Sequence, residues 1–505
     1  MSGEKRAYLH TEAGKCLQTG NEALSQIAGG ITPLRQVFQG SAWYGLAIIV
    51  NRFIPGILTV ILAWWLEQRE LGVLSFILAY YGVLSLVADW SIAYAVQKLI
   101  PENGERAGEI AWTALFVRLG LSTGLGAACW GLDALSGIFH GYGAYLALLL
   151  IASAFGTIVY IHNARCSFAK GSLFSIAFYL VWLPLALTLV KLGMRITGPP
   201  IALSVSFAAI GIPGFLWSPA LRGHVAFVRP IALEILRFGA WATLATLFSG
   251  LADQVGILVV AYRVGDASAG IFKVAATFGV LPAMLGMIVV LPLMPVAKRG
   301  MLNGDDVSAG LILPMLRYLL MFGLAIAAAG IVLAPAVIRT FVQESYMGAV
   351  WPLRLLLGAS LLRMLVTALS GILFVGQGLR ALARIHGIVA VIGLGGSVLV
   401  VRAWGITGVA VALLVGWTIG IVLLLRWFRR KASLPLEWSK YWRYAGSAGV
   451  MAAAVFVAAS LMNSPIQQLV LGGCVAAIVY ALLMWTQRDI AFRGLINTVI
   501  TWAAQ

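Results

Sequence analysis

Charged residues are scarce in this sequence. Asp, Glu, Lys and Arg together make up 10% of its 505 residues, against about 25% in a soluble globular chain. A single water-soluble globule is thereby excluded. Cysteine is scarce too: the four (Cys16, Cys129, Cys166 and Cys474) are scattered with no CxxC spacing, so neither a disulfide framework nor a cysteine-built metal site is indicated. No Walker A, HExxH or GxSxG pattern occurs, which leaves ATP-driven or hydrolytic chemistry without residues. The amino-terminal stretch MSGEKRAYLHTEAGKC mixes acids and bases and has no apolar h-region, unlike a secretory signal peptide.

What is abundant is apolar length. Hydrophobic residues make up 61% of the chain, and the mean hydropathy is +0.95. Residues 238–300 show the design: two apolar runs, each long enough to cross a bilayer, joined by the polar turn RVGDASAG. Each run carries one charge at depth, Asp253 in the first and Lys273 in the second. Placing a charge in hydrocarbon costs about 2.5–3.5 kcal/mol on insertion scales, so such residues need a partner or a watery cavity.

Fourteen spans of about 20 residues are predicted, at 42–66, 72–96, 109–132, 142–162, 172–190, 197–217, 238–261, 268–296, 309–333, 350–375, 381–401, 405–425, 443–462 and 465–486. Pro282, Pro292 and Pro295 predict a kink in the eighth. With the amino terminus in the cytoplasm, 23 of the 35 Lys and Arg residues fall in inside segments and six in outside loops; the other six lie within or at the ends of spans. This asymmetry accounts for the net charge of +17 as a topology signal rather than a nucleic-acid footprint, and it puts both termini inside.

An internal repeat organises the spans. ELGVLSFILAYYGVL (70–84) resembles SAGIFKVAATFGVL (268–281), and ALFVRLGLS around Arg118 resembles LPMLRYLLM around Arg317. Six spans per unit is an even number, so the units share one orientation and form a parallel repeat. The expected architecture is an all-α polytopic membrane protein with about 14 transmembrane helices: two six-helix lobes in parallel pseudo-two-fold repeat plus two C-terminal helices. The expected segments are a tail (1–40), an N-lobe (41–217), an inter-lobe linker (218–237), a C-lobe (238–426), a basic linker (427–442), the last two helices (443–486) and a carboxyl tail (487–505).

Three local patterns add to this. They are RELGVLSFILAYYGVLSLVADWSIAYAVQKLIPE with Asp89 at its acidic position, Asp253 followed by the Gly265-Asp266…Gly270 turn, and WGITGVAVALLVGW at 404–417. With the count of six plus six plus two, the chain resembles the multidrug/oligosaccharidyl-lipid/polysaccharide exporter superfamily, and within it the polysaccharide-transporter (Wzx-type flippase) branch, over residues 40–430. Trp90-Ser91 stands where that branch commonly has Leu-Gly. The resemblance implies a flippase in a bacterial inner membrane, not an enzyme. It would move a polyprenyl-diphosphate-linked oligosaccharide to the outer leaflet by alternating access, with no cofactor. Polysaccharide polymerase or export proteins enter as partners by family analogy alone.

The intramembrane charge suits a diphosphate. Arg52, Arg118, Lys273 and Arg363 are set against Asp89 and Asp253. Arg52 and Arg363 each read as lining a cationic cavity or as part of an ion pair, for Arg52 with Asp89. Arg118 reads as cavity-lining or as an interfacial anchor. Lys273 and Asp253 read as a mutual pair, or Asp253 as a proton or Na⁺ coupling site; Asp89 is the other candidate for coupling. Arg317 and Arg354 read as snorkelling residues near span ends. Trp43, Tyr44, Trp64, Trp65, Trp438 and Trp442 read as interfacial belts, Trp90 and Trp241 as deeper. His162 and Asn163 read as a loop cap, His386 as structural, and Asp305-Asp306 as a solvated pair. Competing substrates are a peptidoglycan or teichoic precursor lipid, or cationic drugs, although a drug extruder wants acids at depth. A polysaccharide polymerase wants a large external loop, and the longest here is 334–349.

Overall fold

The computed structural model describes residues 32–165, 167–218, 221, 225–287, 313–375, 379–431 and 438–487, of which 32–42, Tyr44, Gly104, Trp241, 372–375, Leu379, Lys431 and 438–440 are described by their backbone alone. Residues 1–31, Pro292, Pro295, Asp305, Asp306, 432–437 and 488–505 lie outside these. Among the described residues the regular structure is helical throughout. That is what a lipid environment demands of runs with few polar groups, because a helix satisfies its own backbone N–H and C=O groups.

The helices are α1 (Thr32–Trp65), α2 (Gln68–Asp89), α3 (Ile92–Glu102), α4 (Ala107–Ser136), α5 (Gly143–Ser153), α6 (Thr157–Ala164), α7 (Phe168–Lys191), α8 (Gly198–Trp217), α9 (Arg229–Arg263), α10 (Asp266–Gly279), α11 (Leu313–Phe341), α12 (Val350–Val375), α13 (Leu379–Lys431), α14 (Trp438–Ser460) and α15 (Pro465–Thr486). Twelve of the helical stretches are long and apolar enough to cross a membrane. A thirteenth is the bent pair α10 and Leu281–Met287, which meet at 48°. The bend falls at Val280, and Pro282 sits in the first turn of the helix that follows, where its missing N–H costs nothing. A fourteenth comes from α13, which at 53 residues is twice a span and breaks at Gly405 (φ 55°, ψ −141°). The expected count of about 14 follows.

The chain forms two compact units. The first takes in Met1–Leu58 and Val73–Gln254, the second Thr59–Gly72 and Val255–Gln505. In the first, α4 packs along α5 and α7 along α8. Its core gathers Ile92, Val96, Leu99, Ile110, Ile158, Phe215, Ile231 and Ile235. The expected second and fourth spans are each broken. The second stops at Asp89 and restarts at Ile92 across Trp90 and Ser91, both left-handed (φ 43° and 51°). The fourth passes through a 3₁₀ turn at Ala154–Gly156. Asp133, buried near the end of α4, accepts the backbone N–H groups of Phe139, Gly141 and Gly143 at 2.8, 3.2 and 2.7 Å and ties the following turn down.

In the second unit α12 packs along α13, and α14 and α15 pack on each other and on α11. Tyr444, Met451, Val455 and Met484 fill that seam, and the Tyr480 hydroxyl donates to the Met321 carbonyl at 2.8 Å. The expected loop 334–349 is mostly helical: α11 runs to Phe341 and a 3₁₀ turn covers Glu344–Ala349. The turn RVGDASAG shrinks to Val264-Gly265, with Gly265 at φ 116°.

The start of α2 and the start of α10 meet in this second unit. A Cβ on Gly72 would overlap the Asp266 carbonyl, and a Cβ on Gly270 would overlap the Gln68 carbonyl. The two contacts are reciprocal: Gln68 and Gly72 stand to Gly270 and Asp266 as those stand to them, at the same four-residue spacing. Only glycine permits so close a backbone approach. Around it, Arg69 pairs with Asp266 at 3.8 Å, Trp64 Nε1 donates to the Phe341 carbonyl at 2.9 Å, and Gln68 Nε2 donates to the Ser345 carbonyl at 2.9 Å.

Candidate functional site

A buried polar seam runs through the first unit. Asp89, the last residue of α2, faces Arg118 of α4, with Oδ1 and Nη1 3.3 Å apart and the two side chains 16% and 8% exposed. The Arg118 Nη1 also donates to the Thr157 hydroxyl at 3.2 Å, which in turn donates to the Ala154 carbonyl. Tyr160, one turn along α6 from Thr157 and so on the same face, lies with its ring 5.5 Å from the guanidinium carbon. Its hydroxyl lies close to both Asp89 and Arg118. Two charges in an apolar interior are tolerable only when they offset each other; Asp89 and Arg118 face each other here, although the Arg118 Nε is buried without a hydrogen-bond partner among the described residues.

The seam continues towards α1. Tyr81 of α2 lies close to Ser153 and within electrostatic reach of Arg118 and Tyr179. Tyr179 of α7 lies within reach of Arg52, and beside Arg52 the Asn51 amide donates to Ser175 at 2.6 Å. Arg52 itself is exposed. Five membrane spans thus contribute polar side chains to one connected region. The sequence pointed to Arg52, Asp89 and Arg118. It left out Tyr81, Tyr160, Tyr179, Ser153, Thr157 and Ser175, whose signal was only a hydroxyl inside an apolar run.

The Trp90-Ser91 break sets this geometry. Trp90 Nε1 donates to the Leu236 carbonyl at 2.9 Å, and the Thr243 and Ser91 hydroxyls are 3.2 Å apart. Gly239 of α9 leaves room for the Trp90 carbonyl, which a Cβ there would overlap. Trp90, expected at depth, is thus clamped onto α9. The branch's usual glycine after the Asp position suits this left-handed turn; here Ser91 adopts it.

The remaining expected residues are placed as follows. Asp253, on α9 in the first unit, is half-buried. Lys273 on α10 and Arg363 on α12 are half-buried in the second unit. The Arg363 guanidinium lies 5.8 Å from the centre of the Trp417 ring, within cation–π range. Arg354 donates to the Ile331 carbonyl at 3.1 Å and lies over Trp351. His386 is buried with its Nε2 3.4 Å from the Ser370 hydroxyl, and His162 stacks on Phe174 with ring centres 5.2 Å apart. Among the described residues no three His, Cys, Asp or Glu side chains come together to hold a metal.

This fold is that of known membrane transporters. The inward closed conformation of the lipid II flippase MurJ aligns with a TM-score of 0.71 at 14% identity, covering 90% of this chain and 99% of that one. A transporter of the MOP superfamily from Pyrococcus furiosus aligns with a TM-score of 0.57 at 17% identity, covering 81% of this chain and 97% of that one. An inward-facing multidrug resistance MATE family transporter of the same superfamily aligns at 0.58 and 18% identity, covering 78% and 94%. No curated protein sequence matches the chain. The chain therefore has the multi-pass fold of the MOP-type transporters. The family model of polysaccharide biosynthesis proteins matches residues 37–301. The chain belongs to that family, whose members and structural neighbours are transporters rather than enzymes.

Proposed function

We propose that this protein translocates a polyprenyl-diphosphate-linked oligosaccharide, the repeat unit of a surface or exopolysaccharide such as O-antigen, from the inner to the outer leaflet of a bacterial inner membrane. The observation that carries the reading is the sign of the charge held within the spans. Arg52, Arg118, Lys273 and Arg363 outnumber Asp89 and Asp253, in a chain of the polysaccharide biosynthesis family. Guanidinium groups bind phosphate oxygens through paired N–H donors. Arg52, exposed and next to the Tyr179 end of the polar seam, is the first contact for the diphosphate. Arg118 is held by Asp89 and tunes that end of the seam. Lys273 and Arg363 are further cations within the spans of the second unit. The prenyl tail stays in lipid throughout. Alternating access exposes the site to one leaflet and then to the other, and protonation or ion exchange at Asp89 or Asp253 resets the empty carrier.

The test uses the native host with the gene removed, assaying surface polysaccharide and the lipid-linked precursor. Loss of polysaccharide with accumulation of precursor, restored by the wild type and not by Arg52→Ala, is the expected result. Unchanged polysaccharide and precursor pools on deletion would sink the reading. A second reading is favoured by one observation. The lipid II flippase covers 90% of this chain at TM-score 0.71, and a precursor lipid of another polymer would use the same cationic chemistry. Growth arrest on deletion with normal surface polysaccharide would select it.

A further inference from the structure

A second charged site lies outside the polar seam, at the start of α9. That helix begins at Arg229, thirteen residues before its apolar span at Ala242–Arg263. One face of this leading part is anchored: Ile231, Ala232 and Ile235 are buried, with Ile231 and Ile235 in the same core cluster as Val96 and Leu99. The opposite face is open. Arg229, Pro230, Leu233, Glu234, Arg237 and Phe238 line a cleft of about 440 Å³. Leu233 and Phe238 are 44% and 41% exposed, and Lys98 places its ammonium 4.8 Å from the centre of the Phe238 ring. Glu234 is three residues from Arg237 and five from Arg229, yet the ion pairs among the described residues join none of the three.

We propose that this cleft binds the headgroup of an amine-bearing phospholipid of the phosphatidylethanolamine type. The lining fits in three parts. Arg229 and Arg237 both line the cleft, and Arg is the side chain suited to phosphate. Glu234, between them along the helix, takes the ammonium. Leu233 and Phe238 receive the glycerol and the first acyl carbons, in the way amphipathic helices seat their apolar face at the headgroup boundary. Free phosphate would leave both apolar side chains and the carboxylate unused. A purely anionic headgroup would leave Glu234 without the ammonium partner that an ethanolamine headgroup supplies. The position agrees: the cleft immediately precedes a span, on the side that the Lys and Arg asymmetry assigns to the cytoplasm, where headgroups meet juxtamembrane basic residues. This assignment does not depend on which substrate the protein carries.

The test is native mass spectrometry of the full-length protein presented with equal amounts of ethanolamine and glycerol phospholipids. Wild type is expected to retain the ethanolamine lipid preferentially. The double variant Arg229→Ala/Arg237→Ala is expected to lose one retained lipid of either kind, about tenfold in affinity for a charge-assisted contact. Glu234→Gln keeps the shape, and is expected to retain lipid while losing the headgroup preference. All three side chains are exposed, and unchanged melting temperatures would show that the variants fold. Retention by the double variant equal to wild type, a wild-type preference for the glycerol headgroup, or displacement of the lipid by millimolar inorganic phosphate would each overturn the proposal.

Discussion

Arg118→Ala would strand the Asp89 carboxylate in an apolar interior. Breaking a buried pair from one side costs about 3–5 kcal/mol, so a large drop in melting temperature in detergent is expected. Adding Asp89→Asn should recover part of it, because the stranded charge is then gone. Two independent, additive losses would refute the pairing. Ser91 carries a second prediction. A left-handed L-residue costs about 1–2 kcal/mol and a β-branched one more, so Ser91→Val should destabilise clearly while Ser91→Gly is tolerated. The three charges of the seam were readable in the sequence because charge in a span has few innocent explanations. Their pairing was not. Asp89 sits in sequence between Arg52 and Arg118, and only the packing of α2 on α4 and α6 brings Arg118 to it. The tyrosines were invisible for the opposite reason, since a tyrosine in a span serves equally as packing or as a hydrogen-bond partner.

At the scale of elements, glycine and serine mark where helices turn or touch. The boundary between the eleventh and twelfth spans was legible because WGITG supplies a glycine able to adopt φ 55°, ψ −141°. Gly405→Ala should cost about 1–3 kcal/mol, as side chains seldom occupy that region, or else straighten α13; thermal denaturation would show the first and cysteine cross-linking across the break the second. The break after Asp89 was not legible, because neither Trp90 nor Ser91 is a helix breaker. It is held from outside, by the backbone of Gly239 and the hydroxyl of Thr243. A bend near Pro282 was expected, and one is there at Val280. The 3₁₀ turn at Ala154–Gly156 had no local cue. Gly72→Ala and Gly270→Ala should both disturb the contact between α2 and α10, to similar degrees because the contact is reciprocal. If one substitution were silent and the other severe, the reciprocity would not be functional.

For the whole molecule, we propose from the even number of spans that both termini share one membrane face, and from the charge asymmetry of the sequence that this face is the cytoplasm. Reporter fusions after Gln505 and at the turn near His140 should report opposite sides. A fusion after Gln505 active only outside the cytoplasm would overturn that orientation. Carrying net negative charge outward is favoured by a potential negative inside, by about 2.3 kcal/mol per charge per 100 mV. Collapsing the potential in vesicles should therefore slow translocation, whereas an unchanged rate would point to ion exchange alone. Span count was legible because the bilayer imposes it on every segment separately. The make-up of the compact units was not, because Thr59–Gly72 joins the second unit through contacts with partners such as Asp266, Phe341 and Ser345, far away in sequence. The reciprocal meeting of Gly72 and Gly270 has one more consequence. Each partner offers the other the same surface, so the contact is self-complementary in the way two identical chains meet across a two-fold axis. A half-length forebear carrying a single such glycine would have had, in its own duplicate, a ready mate. Fusion of the two copies into one polypeptide would then have fixed their stoichiometry and freed each half to diverge.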